Sequence, residues 1–220
     1  MKIQSTLRLL NSLGIFGLAT LVLAADHPVA SVSPDAALAK LKEGNTRFTT
    51  NRISTGKPTA ARRAETAQEQ HPFAIILGCA DSRTAPEIIF DQNIGDLFVI
   101  RTAGNLVDDH ALGSIEYAVD HLGARLIVVL GHQRCGAVKA ALASDAAPGH
   151  VQSLVSDIQP AVKATKGKQG DVTDLTIAEN ARLMAEKIRS EAKLGDVSKE
   201  VRIISAVYDL DTGNVTWAGE

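Results

Sequence analysis

The sequence predicts an α/β protein in which a central, mostly parallel β-sheet is flanked by helices. Three apolar, β-prone runs, at residues 73–77, 97–100 and 126–130, predict strands, and the first of them reads as buried on both faces. Segments in which apolar residues recur at helical spacing lie between them. Alternating strands and helices favour parallel strands joined by right-handed crossovers. The 220 residues are enough for one such domain with a sizeable core.

Composition and charge narrow the class of protein. The chain is 45% hydrophobic with few aromatic residues, as is typical of globular α/β proteins, and its formal net charge is −2 with both signs mixed along the sequence. A surface that binds nucleic acid needs a basic patch. We therefore expect no nucleic-acid partner.

Residues 1–24 have the layout of a secretory signal peptide. A basic start precedes an apolar run over 9–23, and small residues end at Ala24. An uncleaved membrane anchor is the alternative, but the run contains polar residues and is short for a span of about 20 apolar residues. We predict cleavage after Ala24, a single domain over 25–220, a periplasmic or secreted location, and no membrane association after cleavage.

A helical arm is expected before the first strand. Residues 33–35 combine an N-cap serine, a proline at the first helical position and an early acid. Leu38 and Leu41 continue at helical spacing, so this amphipathic helix must dock on the core or on a second subunit. A polar surface helix over 60–70 follows and ends before Pro72.

The rest of the chain supplies further helices and a C-terminal edge hairpin. The predicted helices cover residues 86–90, 109–122, 137–143, 151–163 and 173–194. Pro160 is expected to interrupt the fourth of these, and Gly195 to close the fifth as a C-cap. A strand over 201–207 turns at 211–214 into a short final strand through Trp217, which predicts a hairpin at the sheet edge.

Reactive side chains follow each of the three predicted strands. Cys79, Asp81 and Arg83 follow the first strand, residues 101–105 the second, and residues 132–135 the third. Parallel strands in one sheet deliver their carboxyl ends to the same edge, where open α/β sheets place their sites. The three segments should therefore meet there.

Cys79, His132 and Cys135 are candidate ligands of a single metal ion. The His-x-x-Cys spacing lets one tight turn present two of them, and tetrahedral zinc accepts a Cys₂His set with its fourth position open, as in catalytic sites. Asp81 could be a fourth ligand, but Arg83 is close enough to hold its carboxylate in a bidentate pair. A disulfide between the two cysteines is the alternative that an oxidising compartment favours, but it leaves the other three residues unexplained.

Five segments resemble the β-class carbonic anhydrases. They are Cys-Ala-Asp-Ser-Arg at 79–83, Gly-Asp-Leu-Phe-Val-Ile-Arg-Thr-Ala-Gly-Asn at 95–105, Gly-His-Gln-Arg-Cys-Gly at 131–136, Gly-Asn-Thr-Arg-Phe at 44–48 and Tyr-Asp-Leu-Asp-Thr-Gly at 208–213. The resemblance spans nearly all of the mature chain, which is identified as a member of this class of bacterial, exported type.

The resemblance implies zinc-dependent, reversible hydration of carbon dioxide to bicarbonate and a proton by attack of a zinc-bound hydroxide. It implies one Zn²⁺ per chain on Cys79, His132 and Cys135. Asp81 and Arg83 are the implied catalytic pair that orients the hydroxide.

The resemblance also implies substrate-binding residues and an assembly. Gln92, after a one-residue shift of the match, would hydrogen-bond the substrate, and Gly104 and Asn105 would shape the pocket floor. A homodimer or tetramer is implied, with the site at the subunit interface and the N-terminal arm crossing to the partner. Two other functions stay open: a related hydrolase of carbonyl sulfide or carbon disulfide, and a non-catalytic zinc-binding module that need not keep Asp81 and Arg83.

Overall fold

Five β-strands and seven α-helices form the part of the chain that the computed structural model describes, residues 31–53 and 59–218. The strands are β1 (Ala74–Cys79), β2 (Leu97–Thr102), β3 (Leu126–His132), β4 (Arg202–Tyr208) and β5 (Val215–Ala218). They make one sheet in the order β2-β1-β3-β4-β5. All pairings are parallel except that of β4 with β5. The mostly parallel sheet and its C-terminal edge hairpin are confirmed.

Helices cover both faces of this sheet. They are α1 (Pro34–Thr49), α2 (Ala60–Thr66), α3 (Pro86–Ile89), α4 (Asp109–Asp120), α5 (Gly136–Ala143), α6 (Val151–Thr165) and α7 (Val172–Glu191). Short 3₁₀ turns cover Ala103–Asn105 and Gly195–Lys199. Helices α4 to α7 pack on one face, and α1 and α3 on the other. Helix α2 is shorter than the predicted range 60–70.

Strands β1 and β3 are buried on both faces, as their near-continuous apolar sequences predict. Side chains alternate along a strand. Ile75 and Leu77 therefore pack in the cluster that contains α4 to α7, whereas Ala74 and Ile76 pack in the cluster that contains α1 and α3. Since both faces are occupied by core side chains, a site can form only at the strand ends.

Helix α1 docks on the core of its own chain, one of the two predicted docking surfaces. Ser33 caps it as predicted, accepting a hydrogen bond from the amide of Ala36. Leu38 and Leu41 are buried against the sheet. The Asn45 amide nitrogen donates to carbonyls of two other segments, at 3.2 and 2.8 Å, and its oxygen accepts from the Val215 amide at 3.0 Å. Asn45 thereby joins α1 to the terminal hairpin.

Gly44 of α1 and Gly113 of α4 form a matched pair for testing this docking. A Cβ at Gly44 would overlap the carbonyl oxygen of Phe90, whereas nothing lies within 4 Å of a Cβ at Gly113. We expect Gly44→Ala to lower the free energy of unfolding by about 1–3 kcal/mol, because the backbone must move. Gly113→Ala should raise it by about 0.5–1 kcal/mol through helix propensity. Urea denaturation measures both, and equal effects would contradict the docking.

Helix α6 continues through Pro160 to Thr165, so the predicted interruption is wrong. Proline lacks an amide hydrogen and costs a helix interior about 3 kcal/mol. Val155, Ile158 and Ala161 are buried on the two sides of the proline. Their packing holds the helix against α5 and α7 and offsets the local cost.

Helix α7 ends at Glu191, and Gly195 is not its C-cap, contrary to the prediction. The chain turns extended at Ala192, and the next amide, that of Lys193, donates to the Glu116 carboxylate at 2.7 Å. Gly195, with φ of 56°, instead begins a 3₁₀ turn. The helix stops early because a carboxylate on α4 binds the chain beyond it, and no local pattern encodes that contact.

The predicted signal peptide, residues 1–24, lies outside the described residues, and its cleavage stays a prediction. Within the described ranges, no helix combines the length and the apolar character that crossing a bilayer requires.

Candidate metal centre

Cys79, His132 and Cys135 meet at the carboxyl ends of two neighbouring strands. Cys79 is the last residue of β1 and His132 the last of β3, while Cys135 immediately precedes α5. The two strands pair in parallel, which brings their ends to one edge. All three side chains are buried, and their potential ligand atoms lie within 4.8 Å of one another. The convergence that the topology predicts is present.

The hydrogen bonding of His132 fits a metal ligand. Its Nδ1 lies 2.9 Å from the carbonyl oxygen of Gln133, which can only accept, so Nδ1 carries the hydrogen. In a neutral ring the lone pair is then on Nε2. Among the described residues this buried Nε2 has no hydrogen-bond partner. A metal-binding histidine commonly donates its other ring nitrogen to a carbonyl in this way, and two sulfurs with one imidazole suit zinc.

Cys79 and Cys135 are both free thiols, so the disulfide alternative is not supported. Because the two sulfurs lie close together, the pKa of Cys79 is lowered and that of Cys135 is raised, one favouring the thiolate and the other keeping its proton. The Gly104 amide also donates to the Cys79 sulfur, at 3.3 Å, and lowers its pKa further, against the effect of burial. A thiolate is the form that binds a metal. The surroundings of Cys79 therefore favour the ligand form.

Arg83 holds Asp81 in a bidentate ion pair beside the three ligand candidates. Its Nε donates to Oδ1 at 2.9 Å and its Nη2 to Oδ2 at 2.7 Å, and its backbone amide reaches Oδ1 at 3.0 Å. The Arg83 guanidinium thus holds the pKa of the Asp81 carboxyl well below its usual range. Oδ2 lies 3.8 Å from Nε2 of His132. The carboxylate is ionised, close to the cluster and already paired.

Two residues without an assigned role in the sequence analysis shape the turn between Cys79 and Asp81. Arg101 donates from Nε to the Cys79 carbonyl at 2.9 Å and from Nη2 to the Asp81 carbonyl at 2.6 Å. The Thr84 hydroxyl lies 2.9 Å from the Asp81 carbonyl oxygen and is buried. The sequence signals for Arg101 were its charge at the end of an otherwise apolar strand and its place in the 95–105 segment.

Of the predicted substrate-binding residues, Gly104 and Asn105 lie beside the cluster. They form the 3₁₀ turn after β2, and both are buried. Among the described residues, Nδ2 of Asn105 has no hydrogen-bond partner. Gln92 lies instead in a groove beside Leu97, at the start of edge strand β2, and donates to the Phe90 carbonyl at 2.6 Å. In the described part of the chain no hydrogen bond links Gln92 to the cluster.

The fold and the site indicate an α/β protein with a metal-binding site. A Cys₂His cluster lies beside an Asp–Arg pair at the carboxyl edge of its parallel sheet. Residues 74–215 match the family model described as carbonic anhydrase. Carbonic anhydrase 2 of Mycobacterium tuberculosis is 41% identical over 192 residues, which cover 83% of this chain and 92% of that protein. The chain belongs to the carbonic anhydrase family.

Solved structures identify the branch of the family. A Coccomyxa β-carbonic anhydrase, solved with acetazolamide, is 27% identical with a TM-score of 0.66, over 82% of this chain and 86% of that one. A β-carbonic anhydrase of Sordaria macrospora, from a study of two tetrameric enzymes, is 24% identical and shares the fold with a TM-score of 0.60, over 71% of this chain and 85% of that one. The protein is a β-class carbonic anhydrase.

Proposed function

We propose that this enzyme hydrates carbon dioxide reversibly to bicarbonate and a proton, with one zinc ion per chain held by Cys79, His132 and Cys135. One observation carries the proposal: the buried Cys₂His cluster lies beside the paired Asp81 and Arg83 in a chain of the carbonic anhydrase family. When bound, zinc supplies a Lewis acid that makes water nucleophilic near neutral pH.

The three ligand side chains are arranged to hold an ion while they leave room for water. The two sulfurs and Nε2 of His132 would supply three of the four ligands that a zinc ion commonly takes in proteins. Asp81 is the possible fourth ligand that the sequence analysis identified, but both of its carboxylate oxygens already accept hydrogen bonds from Arg83. Arg83 thereby fixes the direction of the carboxylate, which would leave a ligand position for water on a bound ion.

Asp81 orients the attacking water rather than taking its proton. A carboxylate oxygen has a second lone pair, so Oδ2 can accept a hydrogen bond from water while it remains paired with Arg83. Because Arg83 lowers the pKa of Asp81, the carboxylate is a weak base. Its contribution is to fix the direction of the water lone pair toward carbon dioxide.

The floor of the substrate site is formed by Gly104 and Asn105. The buried Nδ2 of Asn105 is a donor that is not used elsewhere among the described residues. It can donate to an oxygen of bicarbonate, which gains negative charge as the reaction proceeds.

Stopped-flow hydration of carbon dioxide by the mature protein, together with zinc analysis, tests the function. We expect one zinc per chain and hydration well above the buffer rate. Zinc binding without any acceleration of hydration would refute the proposed activity. Faster turnover of carbonyl sulfide or carbon disulfide would instead reassign the substrate. The non-catalytic module is disfavoured because the Asp81–Arg83 pair is assembled.

We also propose that the protein assembles as a homodimer or tetramer through the face beside strand β2. This strand is an edge of the sheet, and a groove of about 620 Å³ lies next to it. Ile53, Ile88 and Ile94 line the groove and are exposed. Free strand edges and apolar patches attract a second chain. Gln92 lines the same groove, and its substrate contact stays a prediction.

Replacing Ile88 by aspartate should therefore convert the assembly to monomers. A charge in the centre of an apolar contact is desolvated without a partner. Val151→Asp is the matched control, since Val151 is also an exposed aliphatic side chain but lies outside the groove, at the start of α6. Sedimentation velocity measures the mass of each variant. A wild-type protein that is monomeric at micromolar concentration would contradict the proposed interface.

Export of the protein is proposed from residues 1–24 alone. Expression of the full chain in a bacterium should yield a periplasmic or secreted protein that begins at Ala25. N-terminal sequencing of fractionated cells measures this, and an intact Met1 in the cytoplasmic fraction would refute it.

A further inference from the structure

The turn that follows β2 has an unusual backbone. Gly104 has φ of 75° and Asn105 has φ of 48°, so two consecutive residues are in the left-handed region. Such a conformation is disfavoured for a residue with a Cβ and persists when surrounding contacts impose it. A Cβ at Gly104 would also lie 3.1 Å from Ile158 and 3.3 Å from Ala137. The turn is therefore enclosed, and its backbone conformation needs a stabilising contact from another segment.

Asn180 of α7 provides this contact from across the core. Its Nδ2 donates to the Gly104 carbonyl at 2.9 Å. The residue is 1% exposed and is flanked on its helix by the buried Ile177, Ala181 and Met184. An amide in such a setting costs desolvation free energy. Its Oδ1 is buried and has no hydrogen-bond partner among the described residues. The bond to Gly104 is therefore the polar interaction that offsets the burial of this side chain.

The same glycine connects Asn180 to a metal-ligand candidate. The Gly104 carbonyl accepts from Asn180, and the Gly104 amide donates to the sulfur of Cys79 at 3.3 Å. These two groups belong to the two peptide planes that meet at Gly104. Fixing the second plane limits rotation of the first, and so keeps the amide directed at the sulfur.

We propose that Asn180 is a positioning residue for the Cys79 thiolate, acting through the Gly104 peptide. This inference deepens the proposed function, because it rests on Cys79 as a metal ligand. An amide that donates to a ligand sulfur stabilises its negative charge and fixes its direction. Substitution of a group that hydrogen-bonds directly to a metal ligand, as the Gly104 amide does, commonly changes metal affinity by about 10- to 100-fold.

Asn180→Leu removes the donor and preserves most of the volume, and Thr176→Val is its matched control. Thr176 is also buried on α7, one turn earlier, and its hydroxyl hydrogen-bonds to Thr165 at 2.8 Å, away from the turn after β2. Asn180→Leu loses its bond to Gly104, and Thr176→Val loses its bonds to Thr165 and to the Val172 carbonyl, so both should melt at lower temperature. Only Asn180→Leu should weaken zinc binding, by up to about 10-fold, because Asn180 acts on the ligand through Gly104.

Two measurements on metal-loaded protein separate positioning from general destabilisation. Chelator competition gives the zinc dissociation constant, and the sulfur-to-metal absorption band of the cobalt(II)-substituted protein reports the electronic state of the thiolates. We expect Asn180→Leu to change both, and Thr176→Val to change neither. Asn180→Ser, a smaller variant that leaves space for a water molecule, should show the same band shift if Asn180→Leu does not fold.

The outcomes distinguish this inference from the proposed function. If wild-type protein binds zinc and hydrates carbon dioxide but the Asn180 variants keep the wild-type affinity and absorption band, the positioning role is refuted and the function stands. If Thr176→Val shifts the band equally, the effect is one of stability and the positioning role is again refuted. If wild-type protein binds no zinc, the proposed function itself fails.

Discussion

Cys135→Ala is expected to lose zinc, activity and stability together. Cys135 is 1% exposed and supplies one of three donors in the cluster. A site left with two ligands binds zinc far more weakly, and metal binding stabilises only the folded chain. At a free zinc concentration of 100 times the dissociation constant, the lost stabilisation is about 2.7 kcal/mol. Metal analysis, hydration assays and thermal melting measure the three effects.

The wild-type protein treated with a chelator is the control for this variant. Chelation should lower the melting temperature of the wild type but leave that of Cys135→Ala unchanged, because the variant has no bound zinc to lose. A variant that keeps one zinc per chain would contradict the ligand assignment. A variant that melts far below the chelated wild type would show that Cys135 acts mainly through packing.

Asp81→Asn is expected to keep zinc and lose most of the hydration rate. The amide matches the carboxylate in shape but has no charge, so it holds Arg83 weakly and cannot accept from water in the same way. Misdirected water costs about 100-fold or more in rate. The three ligand side chains are untouched, so zinc content should stay at one per chain. Stopped-flow assays with metal analysis on the same sample measure both quantities.

Asp211→Asn is the matched control for this change. Asp211 also forms a bidentate pair, with Arg134 at 2.7 and 2.8 Å, and that pair lowers the pKa of its carboxyl as well. The pair is exposed, and such pairs contribute little stability. Equal losses of activity in the two variants would contradict a specific role for Asp81.

The lowered pKa of Asp81 also predicts a difference in acid stability. A carboxyl group whose pKa is lower in the folded chain stabilises the fold above its unfolded pKa, about 3.9, and loses that contribution as the pH falls below this value. Wild-type protein should therefore lose stability more steeply than Asp81→Asn on acidification below about pH 4. Near neutral pH the carboxylate stays ionised, so the pH dependence of hydration should not arise from Asp81. Denaturation at a series of pH values measures the difference.

The fold class and the convergence of the ligand candidates could be predicted from the sequence because both depend on short-range patterns and topology. Continuous apolar runs identified β1 and β3, and parallel strands must end at one edge. That rule alone placed Cys79 near His132 and Cys135. The spacing of Asp81 and Arg83, two residues apart, was enough to predict their bidentate pair, which the structure contains.

Contacts between distant segments were decided only by the tertiary structure. Helix α6 runs through Pro160, and α7 stops at Glu191, because packing and a carboxylate on α4 outweigh the local signals. Gln92 lies in the groove beside β2 rather than at the cluster. Sequence spacing carries no information about where such segments meet.

The metal-ligand candidates could be predicted from the sequence, whereas the residues that position them could not. Short motifs were enough to predict which side chains could bind a metal, since they carry both the ligand chemistry and the places at strand ends. Arg101 and Asn180 act through hydrogen bonds to backbone carbonyls of residues 20 to 76 positions away. A backbone carbonyl is present at every residue, so only the folded chain decides which one a buried donor reaches.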